Sequence, residues 1–100
     1  MAVHPVRARS LPDEVLVSLR LAFGAERDER LPALRAALQD PASPTGEARR
    51  AAHSLASSAV VVGEPRLAEI ARDVEERLDA DLPWHEQGRH LADVLASWAP

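Results

Sequence analysis

The stretch Arg49-Arg50-Ala51-Ala52-His53-Ser54-Leu55-Ala56-Ser57-Ser58-Ala59-Val60-Val61-Val62-Gly63 holds the one constellation in this chain that points to chemistry. An imidazole has an ordinary pKa of roughly 6.5, so near pH 7 most of it is a neutral nucleophile. Ala52, Leu55, Ala59 and Val62 recur at steps of three and four, which makes them the buried stripe of a helix. On that helix His53 stands about 100° from Ala52 and about 200° from Leu55, turned away from the stripe. Arg49, Arg50, Ala56, Ser57 and Val60 fall one or two turns from it on the same outer surface. Cations thus precede the ring and small side chains follow it. An outward imidazole in that setting is accessible to a docked protein and suits nucleophilic group transfer.

Other reactive side chains are placed less well. His85 and His90 are five apart, about 140° on a helix, and do not make a two-ligand metal face. Ser10 and Ser43 sit where helix caps and turns are expected, with no base beside them. Glu75-Glu76, Asp79 and Asp81 read as a solvated face shared with Arg72 and Arg77. No metal site is expected.

The elements that must hold His53 are helices. Ser10-Leu11-Pro12-Asp13 has the punctuation of a helix start, and Val15, Leu16, Leu19, Ala22 and Phe23 form an apolar stripe after it. Gly24 is a point of interruption; the stripe resumes through Leu31, Leu34, Ala37 and Leu38. Pro32 allows either a kink or a new helix near Leu31. Asp40 to Gly46 is a loop of turn formers, and a helix from about Glu47 stops at Gly63. Another begins at Glu64-Pro65 and carries Leu67, Ile70, Ala71, Val74 and Leu78 on one face. After the loop Asp79 to Pro83, a last helix from Trp84 to Trp98 turns Leu91, Val94 and Leu95 inward, and the two tryptophans close the ends of the core. The fold expected is an all-α, antiparallel four-helix bundle with a short additional N-terminal helix. Residues 1–9 read as a flexible N-terminus and 10–100 as the bundle domain.

Composition narrows the function classes. The chain has 100 residues, 46% hydrophobic and 28% charged, the values of a single globular domain. A net charge of -4 and aromatics at 3% argue against nucleic-acid binding, which needs cationic surface and stacking platforms. The absence of Cys excludes disulfides and thiol catalysis. The N-terminal segment lacks the apolar stretch of a signal peptide, and the longest apolar run, Ala59 to Val62, is far short of a bilayer span. A cytoplasmic location is expected, with no membrane partner.

Around His53 the chain resembles the histidine-containing phosphotransfer (HPt) domains of multistep phosphorelays. The resemblance rests on Ala52-His53, Leu55, Ser58-Ala59, Gly63 ten positions after the His, and then Leu67, Ile70, Val74 and Glu75 on the following helix. Upstream, Leu19, Phe23, Leu31, Leu34 and Leu38 look like the family's preceding helix, so roughly residues 11 to 98 are covered. Two positions depart from the pattern: Ala56 stands where the family usually has Lys, and Ser57 where it usually has Gly.

The resemblance implies a phosphocarrier of two-component signalling. His53 would accept a phosphoryl group from a receiver-domain aspartate and pass it on. Partners would be receiver domains of response regulators or hybrid histidine kinases, and the domain would act as a monomer. It would need no cofactor of its own, Mg²⁺ belonging to the receiver. With Lys missing at Ala56, Arg49 or Arg50 is expected to supply the positive charge beside the phosphoryl group. Ser54 and Ser57 are expected to hydrogen-bond its oxygens, and Ala56, Val60 and Gly63 to line the docking surface. The alternative is a degenerate HPt-like adaptor that binds a receiver or kinase without carrying phosphate.

Overall fold

A computed structural model describes residues 11–100. The reading of residues 1–9 as a flexible terminus lies outside the described residues. The described chain forms four helices and no strand: α1 (Asp13–Gln39), α2 (Gly46–Val61), α3 (Pro65–Asp79) and α4 (His85–Ser97). Each helix packs on its neighbours in sequence, and α4 returns to pack on α1, so the four close into an up-and-down ring.

The short extra N-terminal helix is not a separate element. Asp13 to Gln39 is one 27-residue helix that passes through both Gly24 and Pro32. Pro32 lies on the exposed side of α1, where the carbonyl it leaves unpaired faces water rather than the core. Gly24 is buried against Trp98 and Pro100, so it marks a close approach rather than a helix end. Neither cue ends the helix: Gly24 is a packing feature and Pro32 is tolerated on the solvent side.

The turns after α2 and α3 fix the register of the central pair. Gly63 adopts φ 77°, and the amide of Glu64 donates to Ala59 O at 2.8 Å, closing α2 with a left-handed cap. Only the backbone angle requires glycine there, since no atom lies within 4 Å of where a Cβ would sit. Pro65 then occupies the first turn of α3, where its missing N–H costs nothing. At the other end of α3, Asp81 takes the left-handed conformation (φ 56°) and the amide of Leu82 donates to Arg77 O.

Phe23, Leu34, Leu55, Val74, Leu91 and Leu95 are the large side chains at the centre of the core. Around them α2 and α3 contribute alanines: Ala52, Ala56, Ala59, Ala68 and Ala71 are all buried. Small residues at a helix contact let the axes approach to the short end of the usual 8–10 Å. Trp84 is buried against Gly88 at one end of the bundle, and Trp98 packs edge-on against Phe23 at the other, with ring centroids 4.8 Å apart.

Candidate phosphotransfer site

His53 projects from the middle of α2 into solvent, with 64% of its side chain exposed. Its stripe neighbours behave as the periodicity requires: Ala52, Leu55, Ala59 and Val62 are buried. The ring is held in place from α3. Its Nδ1 lies 2.7 Å from Oε2 of Glu75, a carboxylate only 15% exposed. An ionised carboxylate can only accept, so Nδ1 carries the hydrogen and donates it. In the neutral ring Nε2 then holds the free lone pair, on the side away from Glu75. The hydrogen bond therefore selects the tautomer and aims the nucleophile outward.

The role of Glu75 is what sequence reasoning missed: it matched a family position, but as one of the pair Glu75-Glu76 it read as part of a solvated face, whereas it is only 15% exposed and holds His53. A signal was present. The turn between α2 and α3 centres near Glu64, and His53 and Glu75 each lie eleven residues from it. Two antiparallel helices joined so tightly bring equidistant residues opposite each other.

Both cations expected at the phosphoryl group are engaged with acids. Arg49 pairs with Asp79 on α3 and lies 3.8 Å from Glu75, and Arg50 pairs with Glu47 at 2.9 Å. The hydrogen bond to Asp79, reinforced by its charge, raises the Arg49 pKa above the ordinary value. In turn that hydrogen bond, opposed by some desolvation, holds the Asp79 carboxyl below its own. Ser54 is engaged too. It and Ser58, one turn apart on α2, donate to the two oxygens of Glu26 on α1, the Ser58 bond measuring 2.6 Å. Ser57 is exposed and donates weakly, at 3.3 Å, to the carbonyl of His53.

The docking residues divide. Val60 is 56% exposed and Gly63 is exposed at the end of the helix. Ala56 is not on the outer surface; at 3% exposure it is buried. Its position about 60° off His53 toward α3, together with the close alanine seam, covers a side chain that a free helix would show. Beyond Ser58, an open apolar hollow of about 160 Å³ lies between α1 and α2, lined by Leu19, Ala22, Phe23, Val61 and Val62. Among the described residues no group of three or more His, Asp or Glu is placed to hold a metal ion.

A family model described as "Hpt domain" matches residues 18–98, the whole span from the second turn of α1 to the end of α4. The chain belongs to the Hpt domain family. Membership implies a phosphotransfer role in two-component signalling, and domains of this kind typically interact with receiver domains. No curated protein and no solved structure matches the chain. No helix among the described residues is long and apolar enough to cross a membrane.

Proposed function

We propose that this domain carries phosphate on His53, between receiver domains of a phosphorelay. The supporting observation is the ring itself, exposed to solvent with Nδ1 bonded to Glu75 and Nε2 open. In the transfer, the Nε2 lone pair attacks phosphorus of an aspartyl phosphate on the docked receiver. The new N–P bond forms as the P–O bond to the aspartate breaks, and the carboxylate leaves with that electron pair. No proton need move, because Nδ1 keeps its hydrogen and the ring becomes cationic. Glu75, already in contact, stabilises that charge. Reversal onto a second receiver regenerates the neutral ring.

The domain's contribution is mostly positioning. Any Mg²⁺ sits with the acids of the receiver, and this chain contributes no cofactor. Val60, Val61 and the hollow beside them supply apolar contact for the partner, Gly63 leaves the helix end clear, and Ser57 is the hydroxyl available to the phosphoryl oxygens.

A second reading is a docking adaptor that never carries phosphate, and one observation favours it. Arg49 and Arg50 are both spent on carboxylates, and Ala56 is buried and uncharged. Receiver domains loaded from acetyl phosphate in Mg²⁺ distinguish the two. The carrier should gain acid-labile, base-stable phosphate, and His53→Ala should abolish labelling while keeping receiver binding. Binding without labelling of the wild type by any receiver would establish the adaptor.

A further inference from the structure

A phosphoryl group on Nε2 of His53 would bring roughly two negative charges next to Glu75 and near Asp79, which are themselves acids. Something cationic must face it. Among the described residues the nearby arginines of α1 and α2 are taken: Arg30 lies 3.8 Å from Glu26, Arg49 pairs with Asp79, and Arg50 with Glu47.

Arg72 on α3 is different. It is exposed, and it makes no ion pair or side-chain hydrogen bond with a described residue. Its place follows from the register of the α2–α3 pair. Arg49 and Asp79 each lie fifteen residues from Glu64, and His53 and Glu75 each eleven; both pairs are in contact. Ala56 and Arg72 each lie eight residues from it, so they are the next pair along the same seam. Arg72 is also three residues before Glu75, on the same side of α3 and about 4.5 Å away along the axis. Across from it Ala56 offers only a methyl group, which is buried. The exposed Arg72 side chain is long enough to span the width of one alanine toward the His53 side of the seam.

We propose that Arg72 supplies the charge that neutralises the phosphoryl group on His53, reaching it across the seam over Ala56. The role rests on the carrier reading and adds to it which residue makes phosphohistidine tolerable beside Glu75. A guanidinium suits the task because its fork of N–H donors matches two phosphoryl oxygens at once. In the unphosphorylated protein Arg72 is solvated, so it adds little to stability.

Phosphoramidate, a small donor that phosphorylates imidazoles directly, tests this without a receiver. Arg72→Ala should lower the rate of His53 phosphorylation on the order of tenfold, the scale of one charge-assisted hydrogen bond. It should shorten the lifetime of the phosphohistidine similarly, and leave the unfolding midpoint unchanged. Arg72→Lys should restore part of both, and Arg72→Glu should depress both further. In the wild type the Arg72 guanidinium ¹⁵N signals should shift on phosphorylation. Phosphorylation equal in wild type and Arg72→Ala, with unmoved guanidinium signals, overturns the assignment and leaves the carrier reading standing. A wild type that labels from neither phosphoramidate nor a receiver removes both.

Discussion

The α2–α3 seam and the α1–α4 seam are built from opposite materials. On α2 and α3 most of the buried residues are alanines, with charged side chains along the outer rim of the seam. Between α1 and α4 the contact is aromatic and aliphatic, with Trp98 on Phe23 and Trp84 against Gly88 and Leu38. Arginines there serve the backbone. Arg27 donates to the carbonyls of Leu95 and Trp98, and Arg20 to that of Ala99, both guanidiniums also lying over the Trp98 ring. The difference teaches a division of labour. Large side chains bury area in the seam away from His53, while the seam that carries it is kept thin so that the imidazole stands clear.

The strongest test of that division is Phe23→Ala. Removing a ring 2% exposed, with Trp98 resting on it, should cost about 3–5 kcal/mol in chemical denaturation. Phosphorylation by phosphoramidate, which needs no docking, should be unaffected in the protein that remains folded. Large losses of labelling per folded molecule would mean that the two seams are not separable. Next in size is Gly88→Ala. Its Cβ would come 2.5 Å from the Trp84 ring and 2.9 Å from Leu38, so about 1–3 kcal/mol should be lost. Gly24→Ala is the contrasting case in the same seam. There the nearest side-chain atom is at an ordinary 3.6 Å, and the gain in helix propensity should stabilise by up to about 1 kcal/mol.

Those two glycines also show what pattern reading reaches. The four bundle helices, the loops at Asp40–Gly46 and Asp79–Pro83, and the buried stripe under His53 were legible, since each rests on local periodicity or turn chemistry; the additional N-terminal helix expected before them is the first part of α1. Gly24 and Pro32 misled because their effect depends on tertiary placement, Gly24 against Trp98 and Pro32 on the solvent side of α1, which periodicity does not contain. At the site, the outward His53 was legible and its support was not. Glu75, the engagement of Ser54 by Glu26 and the burial of Ala56 are all contacts between helices. The Glu75 contact and the burial of Ala56 follow from the tight turn at Gly63 and the closeness that alanines permit, and the Ser54 bond from the packing of α2 on α1, none of them from spacing within α2.

On the thin seam the effects should appear in chemistry before they appear in stability. Glu75→Ala removes the acceptor at Nδ1, so the ring is free to rotate and to exchange tautomers. His53 phosphorylation should slow on the order of tenfold, the worth of a hydrogen bond to a charged group. Glu75→Gln keeps an acceptor for Nδ1–H but not the charge, and should fall between. The ¹⁵N shifts of His53 read the tautomer directly: Nδ1-protonated in wild type, mixed in Glu75→Ala. A wild-type ring protonated mainly at Nε2 would remove the role assigned to Glu75.

The smallest effect belongs to the rim pair Arg49–Asp79, and its sign is fixed. Asp79 titrates below its ordinary value in the folded protein because Arg49 donates to it. Between the two values the unfolded chain binds more protons than the folded one, so the pair's contribution falls as the solution is acidified. It should be fully present above about pH 4, the ordinary carboxylate range, and disappear as pH drops through the lowered folded value. Both side chains are exposed, so solvent screens most of it. The measurement is the unfolding midpoint of wild type minus that of Asp79→Asn, followed from neutral pH into acid. That difference should be small at neutral pH and shrink toward zero in acid, and 1 M salt should flatten it at every pH. A difference that persisted in acid would come from packing rather than charge, and would place stabilising contact on the rim of a seam whose stability otherwise lies in its buried alanines.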